Sequence, residues 1–232
     1  MPTGREIPVR ITEIWRYPVK TMAGETLQRV AIGPLGVAGD RVVHVEDAGG
    51  RVVTSRSHPR FLGHKGSLDA HGGVLVDHRR WDSAEVAAEV VDIAGPGARL
   101  VRYEGAERFD VLPLLVATDG AIAAFGHDHR RLRPNIVIGG VGGLAEREWP
   151  GACLRIGQTL IGVQDLRLRC IMTSYDPDTL VQDKAITRGI YQRFEGKLAL
   201  NCFVIEGGEI AVGDAVQLVR GRGCAESSAL IE

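Results

Sequence analysis

Leu27-Gln28-Arg29-Val30-Ala31-Ile32-Gly33-Pro34-Leu35-Gly36-Val37-Ala38-Gly39-Asp40-Arg41-Val42-Val43-His44-Val45-Glu46 is the stretch from which the fold is read. Leu27 to Ile32 and Arg41 to Glu46 are short runs rich in β-branched residues. Between them lie three glycines and a proline, the residues that turn a chain sharply. Short strands joined in this way predict a β-meander or small barrel. Upstream, Val9 to Tyr17 alternates, with Val9, Ile11 and Glu13 on one face and Arg10, Thr12 and Ile14 on the other, until Pro18 ends the run. Downstream, Arg51 to Ser55 follows the Gly49-Gly50 turn and extends the same pattern.

Composition agrees with many turns between short elements: the 232 residues include 30 glycines and 10 prolines, and only 5% are aromatic. The length suffices for a real core, in one large domain or two small ones. A hydrophobic content of 44% and a charged content of 25% are those of a soluble globular chain. Lys and Arg number 28 against 29 Asp and Glu, so no global field favours nucleic acid or an anionic membrane, and any anion site must be local. No apolar run approaches the roughly 18 residues of a membrane span, and the first eight residues lack the apolar stretch of a secretion signal. A cytoplasmic location is expected, with neither membrane nor nucleic acid as partner. Cys153, Cys170, Cys202 and Cys224 include no C-x-x-C pair, so four reduced thiols are expected and a disulfide framework is not.

Helices are expected in three places. Ser83 caps a run whose Val86, Val90 and Ile93 share one face before Gly95-Pro96-Gly97 stops it. Thr118 or Asp119 opens a shorter run through Ala121, Ile122, Ala124 and Phe125, closed by Gly126. Ile186 to Phe194 is the third. Strands are expected over Asn135 to Ile138, Cys153 to Ile156, Thr159 to Val163, Leu166 to Met172, Leu198 to Ile205 and Ala215 to Val219. Gly139 to Gly143 reads as a flexible loop whose glycines fit no phosphate-binding fingerprint.

The chemistry concentrates in Arg169-Cys170-Ile171-Met172-Thr173-Ser174-Tyr175-Asp176-Pro177-Asp178-Thr179. A cysteine beside a cation ionises more easily, and the thiolate is a nucleophile and a soft metal ligand. Read alone, Cys170 is either such a thiolate or a buried structural thiol. Asp176 and Asp178 read as turn builders around Pro177. His127-Asp128-His129 stands beside three arginines and reads as an exposed loop. His44, His58, His64, His71 and His78 show no ligand spacing.

Four motifs recur in one order: Tyr17-Pro18-Val19-Lys20-Thr21, Gly39-Asp40-Arg41, Arg133-Pro134-Asn135-Ile136-Val137, and the Arg169-Cys170 run. Together they resemble a MOSC protein with its N-terminal β-barrel extension, a family that includes molybdenum-cofactor sulfurase C-terminal domains and amidoxime-reducing proteins. Gly208 to Asp214 is similar to that family's last hairpin, and the similarity spans about Val9 to Val219.

The resemblance implies a mainly β, β-barrel MOSC fold with an N-terminal β-barrel subdomain over 1–105, a MOSC domain over 106–220, a flexible tail over 221–232 and a few short helices. It also implies a molybdenum cofactor (molybdopterin), with Cys170 as metal ligand and catalytic residue. Cofactor contacts then fall on Lys20, Thr21, Arg41, Arg133, Asn135 and Arg169, with Thr118 and Asp119 as weaker matches. The implied activity is reduction of N-hydroxylated compounds such as hydroxylamines or amidoximes, with electrons from a separate flavin or iron–sulfur protein. A different class of role is a cofactor or sulfur carrier without small-molecule turnover. Pyridoxal phosphate binding attaches to the family only at the family level.

The residues themselves are suited to this. Lys and Arg offer charge-assisted donors to a phosphate, and a thiolate suits a metal already held by sulfur. Each also has a plainer reading: Lys20 and Arg41 as solvated charges, Arg133 as part of a basic turn, Asn135 as a backbone-satisfying side chain. Two departures from the family pattern stand out. Thr21 replaces a frequent serine, and Leu180 replaces a glycine, where positive φ is hard for leucine to adopt.

Overall fold

The computed structural model describes residues 8–221 and Cys224. The first strand, Arg10–Arg16, carries a bulge between Ile11 and Glu13 where it pairs with the strand Ile136–Gly139. The extra residue resets the alternation, so Ile11 and Ile14, expected on opposite faces, are both fully buried. This strand lies near one edge of an eight-stranded sheet. From the opposite edge, the order is 217–219, 153–156, 159–168, 197–206, 114–118, 136–139, 10–16 and 25–27. Only 114–118 and 136–139 run parallel, and the helix α2 (Asp119–Phe125) lies in the crossover that such a pair requires. The sheet curls on itself. Ile11 donates its amide to Asp214 and accepts from Gly213, and Val216 donates to Val9, bringing the approach to the last strand back onto the first. The hairpin strand Gly208–Ala211 pairs with Arg29–Gly33.

The fold is mainly β, as expected, with α-helices at Ala84–Ala94, Asp119–Phe125 and Lys184–Phe194 among the described residues. Leu114, Val116, Ile136, Ile138, Ile161 and Leu200 fill the large sheet's core together with Ile11 and Ile14. A second core gathers Val43, Val45, Phe61, Val74, Val76, Val86 and Val90 beneath two small three-stranded sheets and α1 (Ala84–Ala94). The third core packs α2 against α3 (Lys184–Phe194) through Phe125, Ile186, Ile190 and Phe194. The expected caps are in place: Ser83 accepts from Val86 N, Thr118 from Ala121 N, and Gly126 takes the left-handed conformation. No helix among the described residues is long and apolar enough to cross a membrane.

Several expectations are corrected. Thr159–Leu168 is one ten-residue strand, bent by register shifts rather than broken in two. Ile171 and Met172, expected to end a strand, instead open a 3-10 turn over Ile171–Ser174 that Cys170 caps. Gly140 and Val141 are not free loop, because Asp119 accepts both their amides. Leu180 adopts φ +61°; its amide donates to Asp176 O, and its side chain lies against Gly63, so tertiary contact holds a conformation that local preference opposes. Cys153 and Cys224 are joined in a disulfide with Cα atoms 5.7 Å apart, against the expectation of four reduced thiols. Pairing of Cys153 with Val219 on the last strand carries the chain end back past Cys153, a proximity invisible at a separation of 71 residues. The tail expected over 221–232 lies outside the described residues apart from Gly221 and Cys224.

The bulge assigns Ile14 to the core, so Ile14→Ala should cost about 2–5 kcal/mol in urea denaturation, whereas Val181→Ala, at an exposed position, should stay within about 0.5 kcal/mol.

Candidate functional site

Asp40 is fully buried and joins three of the four motifs. Its carboxylate accepts the Tyr17 amide at 2.7 Å and the Asn135 side-chain amide at 3.2 Å, and it pairs with the Arg41 guanidinium. Backbone bonds complete the joint: Arg41 N donates to Tyr17 O and Lys20 N to Val43 O, both at 2.8 Å. The segment 17–21 is thereby laid along 41–43. Asn135 is fixed as well, its Oδ1 accepting from Leu115 N and its Nδ2 donating to Trp15 O.

This joint forms part of the wall of a cavity of about 580 Å³. Lys20, Thr21, Arg41, Arg133, Asn135, Arg169 and Cys170 all line it. Thr118 and Asp119 do not. The Thr118 hydroxyl caps α2 and donates to Glu146, while Asp119 braces the 140–141 loop, so the polar atoms of both are consumed by the fold. Thr21 and Asn135 are also committed: the Thr21 hydroxyl exchanges hydrogen bonds with Ser55, and both amide hydrogens of Asn135 are used. They shape the wall more than they offer free donors.

The arginines behave differently. Arg133 sits at φ +56° with its guanidinium 4.3 Å from the centre of the Tyr17 ring, and among the described residues it has no carboxylate partner. Arg41, at φ +54°, faces the same ring at 5.2 Å. Arg169 donates one bond, 2.7 Å, to Leu132 O, and its buried Nε has no acceptor. Burial pulls the pKa of Arg133 and of Arg169 down to about 10, with the neighbouring Arg167 adding to the effect at Arg169. Both therefore remain cations at neutral pH, desolvated and, among the described residues, without an ion-pair partner. Such a charge is costly unless an anion answers it.

Sequence reading missed six charged contributors, Lys197 and Asp165 among them. Arg56, Arg131 and Arg167 also face the cavity, as does the carboxylate of Asp110. Arg167 was legible, because two residues before Arg169 on an extended chain places it on the same face. Arg56 and Asp110 gave no local sign. At Asp110 burial pushes the carboxyl up, but Lys20, Arg56 and Arg167 outweigh it and hold the group below the usual carboxylate range. Arg56, Arg167 and Arg169 all stand within electrostatic reach of Cys170, whose side chain is half-buried. Cys202, by contrast, is buried in the core, and burial pushes its thiol far up.

Family models assign the architecture around this cavity: the MOSC N-terminal beta barrel domain matches residues 8–109 and the MOSC domain matches 119–217. The chain belongs to the MOSC family. Across 90% of its length it is 24% identical to mitochondrial amidoxime-reducing component 1 of Mus musculus, covering 82% of that protein. The solved YUAD protein from Bacillus subtilis shares the fold at 11% identity with a TM-score of 0.52, over 93% of this chain and 98% of that one. The MOSC cavity lies where the two matched segments meet, with Lys20, Thr21 and Arg41 from the first and Arg133, Asn135, Arg169 and Cys170 from the second.

Elsewhere in this MOSC protein, Asp176 builds its turn by accepting the Asp178 and Thr179 amides, and it also pairs with Arg131. His64, Asp77 and Glu89, without ligand spacing in the sequence, come within 4.8 Å of one another. The Arg79 fork already holds both Glu89 oxygens at 2.7 Å, so that trio's charge is answered. His129 bonds Glu13 rather than standing in an open loop.

Thr118→Ala should therefore lower stability by about 1 kcal/mol through the lost cap and leave phosphate binding in calorimetry unchanged. Asp40→Ala should cost about 3–5 kcal/mol in denaturation, because Arg41 loses its buried partner.

Proposed function

We propose that this protein is a molybdenum-cofactor-dependent oxidoreductase that reduces N-hydroxylated compounds, hydroxylamines and amidoximes among them. The supporting observation is one cavity that combines desolvated, carboxylate-free arginines with a single accessible thiol. Membership of the MOSC family and the likeness to an amidoxime-reducing protein point to the same chemistry.

The residues fit the cofactor. The unbonded Nε of Arg169 and the unpaired guanidinium of Arg133 call for an oxyanion, which the phosphate of a molybdopterin provides. Lys20, Arg41, Arg133 and Arg169 would hold it, and Cys170 would ligate the metal. When bound, the cofactor supplies oxygen-atom and electron transfer. The chain's own part is orientation and electrostatics. Asp40 fixes the Arg41 side chain, the Tyr17 ring carries Arg41 and Arg133, and Arg56, Arg167 and Arg169 surround the Cys170 sulfur with positive charge. Burial holds the Tyr17 hydroxyl well above the usual phenol range, and it donates to Pro134 O, so it serves as a wall and not as an acid. Electrons would come from a separate flavin or iron–sulfur protein.

Protein made in a host that synthesises the cofactor should carry molybdenum by elemental analysis and release a fluorescent oxidised pterin. It should also reduce an amidoxime with an artificial electron donor. Bound molybdenum without turnover of any N-hydroxylated compound would identify a carrier instead, and absence of molybdenum would end the proposal. Cys170→Ala should lose the metal while keeping the wild-type melting temperature within a few degrees. Arg133→Ala should weaken cofactor retention by about tenfold, the worth of one charge-assisted contact.

A further inference from the structure

The carboxylate of Asp110 is shared by three cations from three separate parts of the chain. Its Oδ1 lies 2.8 Å from Lys20 Nζ, and its Oδ2 lies 2.7 Å from an Arg56 nitrogen and 3.9 Å from one of Arg167. None of the three has another carboxylate among the described residues. Lys20 otherwise donates to Arg108 O, and Arg167 to the Asn201 side chain at 3.5 Å. One negative charge facing three positive ones leaves the subsite under-neutralised. A phosphate dianion, with more charge and more acceptor oxygens, answers it better.

Asp110 is also placed to yield. It follows directly on the N-terminal matched segment, which ends at residue 109, and precedes the MOSC match, which begins at 119. Residues 110–113 belong to no helix or strand, and among the described residues they form no backbone-to-backbone hydrogen bond. The anchors lie just before them: Arg108 donates to Glu104 O and Leu35 O, and the Phe109 ring packs under the Arg108 and Arg41 guanidiniums. Beyond Asp110, Val111 is 54% exposed. The linker is thus fixed at its start, and Asp110 is its one charged tie to the cavity, beside Val111 and Leu112 on the same wall.

We propose that Asp110 is a built-in stand-in for an oxyanion: it occupies a subsite made by Lys20, Arg56 and Arg167, and a phosphate-bearing ligand displaces it and frees the linker. This competition rests on the cavity being the anion site proposed above, and it assigns Arg56 and Arg167 as ligands of that anion. The chain's own carboxylate holds the subsite together and spares it the repulsion of three bare cations. Ligand affinity is lowered in return, since the bound anion must first replace an existing ion pair.

The test is calorimetric titration of the full chain with inorganic phosphate at low chloride. Asp110→Asn and Asp110→Ala should each bind phosphate about tenfold more tightly than wild type, and adding Arg56→Gln to Asp110→Asn should abolish the gain. As a readout that needs no variant, saturating phosphate should quicken chymotrypsin cleavage after Phe109 in the wild-type chain, because the displaced linker loses its tie. Unchanged or weaker phosphate binding in both Asp110 variants, or phosphate leaving that cleavage unchanged or slowed, would overturn the inference. If Arg133→Gln still weakens phosphate binding in that case, the cavity remains the anion site and only the role of Asp110 is wrong. If no chain, Asp110 variants included, binds phosphate, the anion reading and the inference fall together.

Discussion

One buried carboxylate organises this molecule's functional face. Asp40 accepts from the backbone of Tyr17 and the side chain of Asn135 and neutralises Arg41, tying segments roughly 20 and 95 residues apart in sequence to a single point. Buried charge is tolerated only when paired and hydrogen-bonded, and Asp40 meets both conditions using groups that also wall the cavity. The same contacts that make its burial possible therefore give the site its shape. Three cavity residues, Thr21, Arg41 and Arg133, have positive φ, the kind of backbone strain that persists only where surroundings over-determine it.

What the joint leaves behind is an electrostatic imbalance. Lys20, Arg41, Arg56, Arg131, Arg133, Arg167, Arg169 and Lys197 face the cavity against Asp110 and Asp165, in a chain whose net charge is only -1. The neutral total conceals a strongly cationic interior. Part of it is answered internally, with Asp40 for Arg41, Asp176 for Arg131, and Asp110 for Lys20 and Arg56. Among the described residues Arg133 and Arg169 have no such answer, and burial lowers the pKa of both. A pocket with this imbalance invites an anion, and the sulfur of Cys170 stands on the same wall.

The disposition of polar groups separates residues that build from residues that remain available. Thr118, Asp119, Thr21 and Asn135 all carry donors or acceptors suited to a ligand, yet the fold has spent most of them on a helix cap, a braced loop, a serine pair and a strand joint. Arginines outlast this accounting because each carries five donors and the backbone offers too few acceptors at one point to satisfy them. Hence Arg131 and Arg169 keep buried nitrogens with no partner.

The helices and most strands were legible in the sequence because capping and hydrophobic period are encoded within a few residues: Ser83, Thr118 and Gly126 act on their immediate neighbours. Motif order identified the family, and the placing of Arg167 and Arg169 on one side of an extended segment was readable in principle. Tertiary structure alone decided the bulge that buries both Ile11 and Ile14, the positive φ of Leu180 over Gly63, the joining of Cys153 to Cys224, and the meeting of Asp110 with Lys20, Arg56 and Arg167. Periodicity is a property of neighbours along the chain. Charge pairing and loop strain are properties of neighbours in space, and these exist only once the curled sheet has brought distant segments together.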